Sequence, residues 1–365
     1  MRSPFPRRGF RGFTLIELLV AVAVLALLVA LAVGVVGGTA KAILSSNKRQ
    51  DADGQARTAL DRIGADIANA VRRADLDAIF PKAAGNDRMF FHSEAPAYFD
   101  ASNALLFPGS SASDPKSILS LVGYRIEGDS GLERLGLGLT WAGKASGSGS
   151  GAAVYLSRVA GSGVIDPAST LSGAWPAAVG QPPNYDGSDA TYWRVLSPQV
   201  FRMETCFLLK DGTLSVLPVL RPSGKTNNLG AQAPPTAASD AGAGYVPGSR
   251  WFDAAAQRGY VCVDNTAGAA VWNAVGTGDL AAVVVALAIL DASSRQTVPA
   301  SALRAVALAL PDAGAGDLAA SPPRLMKRTW QAVVQAPSFA QSSGLPPEAA
   351  ARVRVYQRYF YLNSP

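Results

Sequence analysis

The chain has 365 residues, 48% hydrophobic and only 16% charged, with 36 glycines, 24 prolines and a formal net charge of +6. Four positive charges, Arg2, Arg7, Arg8 and Arg11, fall in the first twelve residues, and without them the side chains sum to +2. The basic isoelectric point is therefore largely a property of this short segment, which excludes it as an argument for a nucleic-acid partner. The glycine and proline content implies many turns and a mildly apolar surface suited to interaction.

Residues 1–12 are basic and carry no acid, whereas residues 13–36 form a run of 24 residues in which Glu17 is the only charge. A helix of about 20 residues crosses a hydrocarbon core of roughly 30 Å, so this run is long enough to span a membrane. A basic flank before the span predicts a cytoplasmic N-terminus and an outward-facing remainder. A secretory signal would have a shorter core, about 7–15 residues, with its cleavage site at the far end. Here the best cut site, Gly12, precedes the span, so the helix is expected to stay on the mature protein. A carboxylate inside hydrocarbon costs roughly 2.5–3.5 kcal/mol on insertion scales, so Glu17 calls for a purpose or a partner. A plain signal anchor with Glu17 snorkelling to the interface is the alternative; it leaves the glycine, the spacing and the leader unexplained together.

The string Gly12-Phe13-Thr14-Leu15-Ile16-Glu17 resembles the processing site of type IV prepilins and pseudopilins. The resemblance implies cleavage after Gly12 by a membrane prepilin peptidase, which also methylates the new terminal amine of Phe13. A glycine without a Cβ suits close approach of a protease to unwound backbone. While positive, the Phe13 amine would compensate the Glu17 carboxylate of a neighbouring subunit, and a dry charge pair resists losing one member. Glu17 would then select subunits entering a filament and set their register.

After the span, residues 37–80 are expected to continue as an amphipathic helix. Leu60, Ile63, Ile67 and Val71 recur at spacings of three and four, building one apolar stripe. Asp53/Arg57, Arg57/Asp61 and Arg62/Asp66 stand at i, i+4 on other faces. Gly34, Gly37 and Gly38 are expected to allow bending or local melting, and Pro81 to end the helix. No heptad is sustained, which argues against a separate coiled coil.

Residues 81–365 read as one loop-rich, β-rich domain. Residues 119–127 and 132–141 predict an antiparallel hairpin about the turn 128–131. Residues 199–209 and 213–219 flank Asp211-Gly212, a hairpin signal because glycine accepts positive φ. Residues 260–263 form a short strand. The apolar run 280–290, with Val283, Val284 and Val285, favours a buried strand over a helix, and residues 352–362 a terminal strand closing the sheet. The tracts 143–153, 222–248 and 335–347 read as surface loops, and residues 325–334 as a short helix. The expected class is α+β and pilin-like: a long N-terminal helix packed on an antiparallel sheet with long loops.

The pairs Tyr124-Arg-Ile-Glu-Gly128 and Gly131-Leu-Glu-Arg134, with residues 60–66 and 192–212, resemble the J-type minor pseudopilins of type II secretion. The chain also resembles a long prepilin of the verrucomicrobial secretion-like cassette, including Arg354-Val-Tyr-Gln-Arg358. Its length departs from the shorter J-type proteins. These resemblances imply a structural subunit without catalytic residues or cofactor. It would sit in the inner membrane with a periplasmic domain, and its partners would be prepilin peptidase, other pseudopilins or pilins, an assembly platform and membrane lipid. A minor pilin of a type IV pilus or competence system is the first alternative. A membrane-anchored extracytoplasmic enzyme or binding protein is the second.

Candidates for chemistry are sparse. His92 has no companion at metal-ligand spacing, and neither a GxSxG elbow nor a phosphate loop occurs. Gly136 and Gly138 fall within a strand, where a bulge or close backbone approach explains them. Asp186 and Asp189 are thin grounds for a calcium loop, since turns favour Asp regardless, and no metal is expected. Cys206 and Cys262 both lie in strand-like text; in an oxidising compartment they are candidates for a disulfide, with two buried free thiols the alternative.

Overall fold

The computed structural model describes residues 14–72, 78–95, 97–98, 116–117, 119–144, 153–157, 193–321 and 323–362. The chain splits into two compact units, residues 1–50 and 51–365. The described part of the first unit is the opening of helix α1 (Leu15–Ala68). Leu15–Val36 has a mean hydropathy of 3.2 and buries none of its surface within the chain. At 1.5 Å per residue its 22 residues extend about 33 Å, the thickness of a bilayer core. The helix is continuous through Gly34, Gly37 and Gly38, so the melting expected there is not seen.

In the second unit α1 buries Ala52, Ala56, Ala59, Leu60, Ile63 and Ile67. The stripe read from the sequence is thus the core face, extended toward the N-terminus by alanines. Asp53 and Asp61 reach the last strand rather than serving only their own helix: Tyr356 Oη donates to Asp53 and Arg358 to Asp61. The helix ends at Ala68, not near residue 80. The Asn69 side chain donates to Ala65 O at 2.7 Å, and the chain then turns to sheet pairing. Val71 N donates to His92 O, and Ile79 and Phe90 exchange two backbone bonds, all at 2.9 Å. Val71, expected on the helical stripe, therefore lies beyond it.

The first sheet contains β1 (Met89–Ser93), which precedes the short pair β2 (Ala97–Tyr98) and β3 (Lys116–Ser117). It continues with β4 (Leu119–Ile126), β5 (Leu132–Lys144), β6 (Ala153–Ser157) and β7 (Trp193–Ser197) in the order β1-β4-β5-β6, with β7 also on β5. The predicted hairpin is β4–β5, and its register sets Tyr124 opposite Arg134. Both side chains close on buried Asp66 of α1. Tyr124 Oη donates to Oδ2 at 2.5 Å, Arg134 Nε to Oδ2 at 2.5 Å and Arg134 Nη2 to Oδ1 at 3.0 Å.

The second sheet begins with β8 (Val200–Leu209) and the two-residue β9 (Leu214–Ser215). The Asp211-Gly212 turn forms with Gly212 at φ 84°, but its return strand is far shorter than residues 213–219. The tract 222–248, expected as loop, contributes β10 (Asn228–Ala231) to a third, four-stranded sheet with β11 (Arg250–Asp253), β12 (Arg258–Asp264) and β13 (Val271–Ala274). Arg250 fastens this sheet through a two-pronged bond to Asp279, 2.9 Å on each arm. The chain then returns to the second sheet as β14 (Leu280–Ile289).

Between β14 and the last strand lie six short helices: α2 (Ala292–Thr297), α3 (Ala300–Ala309), α4 (Ala315–Leu318), α5 (Met326–Val334), α6 (Phe339–Ser343) and α7 (Pro347–Ala350). The terminal β15 (Arg354–Tyr361) closes the sheet order β15-β14-β8-β9 at one edge. Strand β14 is apolar throughout because both its faces are covered. Val283, Val285, Leu287 and Ile289 join the core under α1. Val284, Ala286 and Ala288 join a second core with Leu303, Val306, Trp330 and Phe339 from the helices. This helical layer is the main departure from the sequence reading. The tract 335–347 is part of it, since Phe339 and Leu345 are buried there.

Candidate processing and assembly site

Helix α1 begins with Thr14 as its N-cap. Thr14 N and Oγ1 both donate to Glu17 Oε2 at 3.3 Å, and Glu17 N donates to Thr14 Oγ1 at 3.3 Å. This reciprocal pattern is a capping box: a Thr-x-x-Glu sequence satisfies backbone N–H groups that the first helical turn leaves without partners. The carboxylate also stands at the positive end of the helix dipole. Glu17 therefore has a role within its own chain that the neighbour-pairing argument missed. The signal for it, a threonine three residues before a glutamate and ahead of an apolar run, was present in the sequence. Both side-chain contacts engage Oε2; among the described residues, none engages Oε1.

Gly12 and Phe13 lie outside the described residues, as do Asp186 and Asp189. His92 sits in β1 opposite Leu121. Among the described residues no group of three His, Cys, Asp or Glu side chains could hold a metal ion. The two cysteines of the candidate disulfide, Cys206 and Cys262, are both free and buried in the structure. Cys206 is on β8, paired with Val284 in the second sheet, whereas Cys262 is on β12, paired with Trp272 in the third. A surface hollow of about 810 Å³ is floored by Ala332, Val333 and Phe339 and rimmed by Arg324 and Arg328; its lining contains no histidine or cysteine.

The first turn of α1 thus carries the single charge of the 22-residue apolar span Leu15–Val36. A family model, the prokaryotic N-terminal methylation motif, matches residues 7–33. The match takes in the second half of the basic leader, Gly12, Phe13, Glu17 and most of the apolar run. The chain fits the type IV pilin-like family. No curated protein and no solved structure matches the chain. A type IV pilin-like N-terminus of this kind implies processing by prepilin peptidase and assembly with other pilins. The long apolar helix followed by antiparallel sheets is the arrangement of such proteins, and the one described helix long enough to cross a bilayer is its N-terminal anchor.

Proposed function

We propose that this type IV pilin-like protein is a minor pseudopilin, a structural subunit of a type II secretion-like pseudopilus. In this reading prepilin peptidase cuts after Gly12 and methylates Phe13. The subunit waits in the inner membrane with its β-rich domain on the periplasmic side. It then enters the filament when the Phe13 amine of one protomer meets Glu17 of the next. Chemistry is done to the protein rather than by it.

The observation that carries the reading is Glu17. It is the lone charge of an apolar span that buries nothing within the chain, and it keeps one carboxylate oxygen unengaged among the described residues. Support for a pseudopilin in particular comes from Asp66, Tyr124 and Arg134. These residues carry the J-type resemblance from separate stretches of sequence, and they meet in one cluster. The test is mass spectrometry of the N-terminus of protein purified from its native membrane. The expected species starts at a singly methylated Phe13 and keeps the apolar helix. A chain starting at Met1, or lacking the helix, overturns the proposal. Gene deletion separates the two assemblies: loss of secretion with intact piliation fits a pseudopilin, and the reverse fits a pilus subunit.

A further inference from the structure

On the face of β8 turned toward the helical layer, Arg202 and Glu204 are buried side by side. Arg202 Nη2 donates to Glu204 Oε2 and also to Asp312 Oδ1, on the connection between α3 and α4. Glu204 Oε1 accepts from Ala313 N, on the same connection, at 2.8 Å. From the segment after α1, Lys82 Nζ lies 3.7 Å from Glu204 Oε1 and 2.6 Å from Asp87 Oδ2. Asp87 is itself buried and accepts from Thr205 N at 2.7 Å. The Arg202 guanidinium lies 5.2 Å from the ring of Trp330 on α5, whose Nε1 donates to Pro311 O at 2.8 Å. Three carboxylates thus meet two cations. With all of them ionised, one negative charge is in excess, and two of the three carboxylates, Glu204 and Asp87, are buried, which makes that excess costly. Arg202 Nε and Nη1, both buried, find no hydrogen-bond partner among the described residues, so the cation is not fully used against that charge.

We propose that Glu204 is a proton-binding latch that fastens the connection 311–314, and with it α3 and α5, to the sheet at mildly acidic pH and releases it on ionisation. Neutral Glu204 leaves the cluster balanced and Arg202 free to hold Asp312. Ionised Glu204 keeps its bond from Ala313 N, but it competes with Asp312 for the same Arg202 nitrogen. It regains hydration when the connection lifts, and burial is the larger effect. The Asp312 side chain is 53% exposed and that of Glu204 only 2%, so Asp312 is the member that water can take.

Burial first and the Asp87 carboxylate second push Glu204 up from an ordinary 4.5 to about 7, against the pull of Lys82, Arg202 and the Ala313 N–H. Along the same face, burial raises the Cys206 thiol to about 12, so it stays neutral throughout. Tyr359 of β15 is also raised by burial, and the β14 residue opposite Glu204 is Ala286, which cannot titrate. A folded value above the unfolded one gives stability that is complete below the unfolded value and lost as pH rises through the folded one. The latch is therefore closed near pH 4.5 and open above about 7.

The test is hydrogen exchange on the full-length protein in detergent micelles, with rates normalised for the intrinsic effect of pH. Between about pH 6 and pH 8, peptides from residues 300–334 are expected to lose protection on the order of tenfold, while those from residues 51–68 hold theirs. Glu204→Gln should abolish this dependence. Asp87→Asn removes the repelling charge and should move the midpoint down. A flat wild-type profile overturns the latch, as does a Glu204→Gln protein that keeps the wild-type one. Should Glu204→Gln fail to fold, an unmoved midpoint in Asp87→Asn overturns it equally.

Discussion

Arg134 grips both carboxylate oxygens of Asp66, at 2.5 and 3.0 Å, across 68 residues of sequence. Asp66 is 1% exposed, and the cross-strand neighbour of Arg134, Tyr124, shares the same carboxylate. One buried acid thus ties the second-unit part of α1 to the first sheet. Arg134→Ala leaves that acid without its main counter-charge, which typically costs about 3–5 kcal/mol. Arg62 also pairs with Asp66, at 3.4 Å, but is 43% exposed. Arg62→Ala should therefore cost less than about 1 kcal/mol. Denaturant unfolding of the two variants checks the ranking, and equal losses would refute it.

Gly64 sits where α1 meets the terminal strand, and a Cβ there would lie 2.8 Å from Phe360 Cε1. Alanine favours a helix interior by about 1 kcal/mol over glycine, whereas forcing extra volume into a packed core costs about 1–3 kcal/mol. Gly64→Ala is expected to destabilise on balance, and to stabilise once Phe360→Leu has removed the ring edge. A double-mutant cycle reads the coupling directly. Additive effects would show that the helix does not rest on Phe360.

Long, regular patterns were legible in the sequence, and short or distant ones were not. The stripe Leu60, Ile63, Ile67 marked the buried face of α1, and the run 280–290 marked a strand covered on both sides. The helical layer was largely hidden because its helices are four to ten residues long. They are rich in alanine and anchored by single residues such as Phe339 and Leu345, so periodicity has few turns in which to register. The Asp66 cluster was hidden differently. Each member stood in a segment already singled out, but nothing local says that a helix acid meets a hairpin tyrosine and arginine. The end of α1 was misplaced because hydrogen bonds to β1, a tertiary partner, took over before Pro81 could act.

Asp291 caps α2: its Oδ1 accepts from Ser294 N at 3.1 Å and Ser293 Oγ at 2.6 Å. Burial raises its pKa, but the Ser293 and Ser294 hydrogen bonds and the charge of Arg352 outweigh that and leave it below the ordinary 3.8. Its contribution is therefore present above the unfolded value and lost as pH falls through the lower folded one. Asp291→Ala should cost about 1 kcal/mol near neutral pH and nothing once the wild-type carboxyl is protonated. Stability curves taken downward from neutral pH test this, with the difference expected to shrink as pH falls below the ordinary 3.8. A constant difference would assign the loss to packing.

The two thiols give a chemical test of the sheet topology. Burial pushes Cys206 up to about 12 and raises Cys262 as well, with Asp264 adding to the effect. Neither should form thiolate near pH 8, so a disulfide-exchange reagent should label no cysteine in the native protein and two after unfolding without reductant. A single mass shift of two hydrogens, with no labelling of the unfolded chain, would mean a bridge and a rearranged third sheet.

Glu17→Ala separates the two roles of the first helical turn. Within one chain it removes half of the capping box, worth about 1 kcal/mol at most at a helix end that the bilayer already enforces. Membrane insertion and cleavage after Gly12 should therefore persist. Between chains it removes the carboxylate proposed to meet the neighbouring Phe13 amine, so incorporation into filaments should fall by roughly tenfold or more, as expected when a dry charge loses its partner. Thr14→Val is the matching control: it removes the hydroxyl of the cap but keeps the carboxylate, and should assemble far better than Glu17→Ala. Counting cleaved subunits in sheared filaments against those left in the membrane measures both effects. Equal assembly defects in the two variants would make the cap, not the intersubunit pair, the reason for an acid in the apolar run.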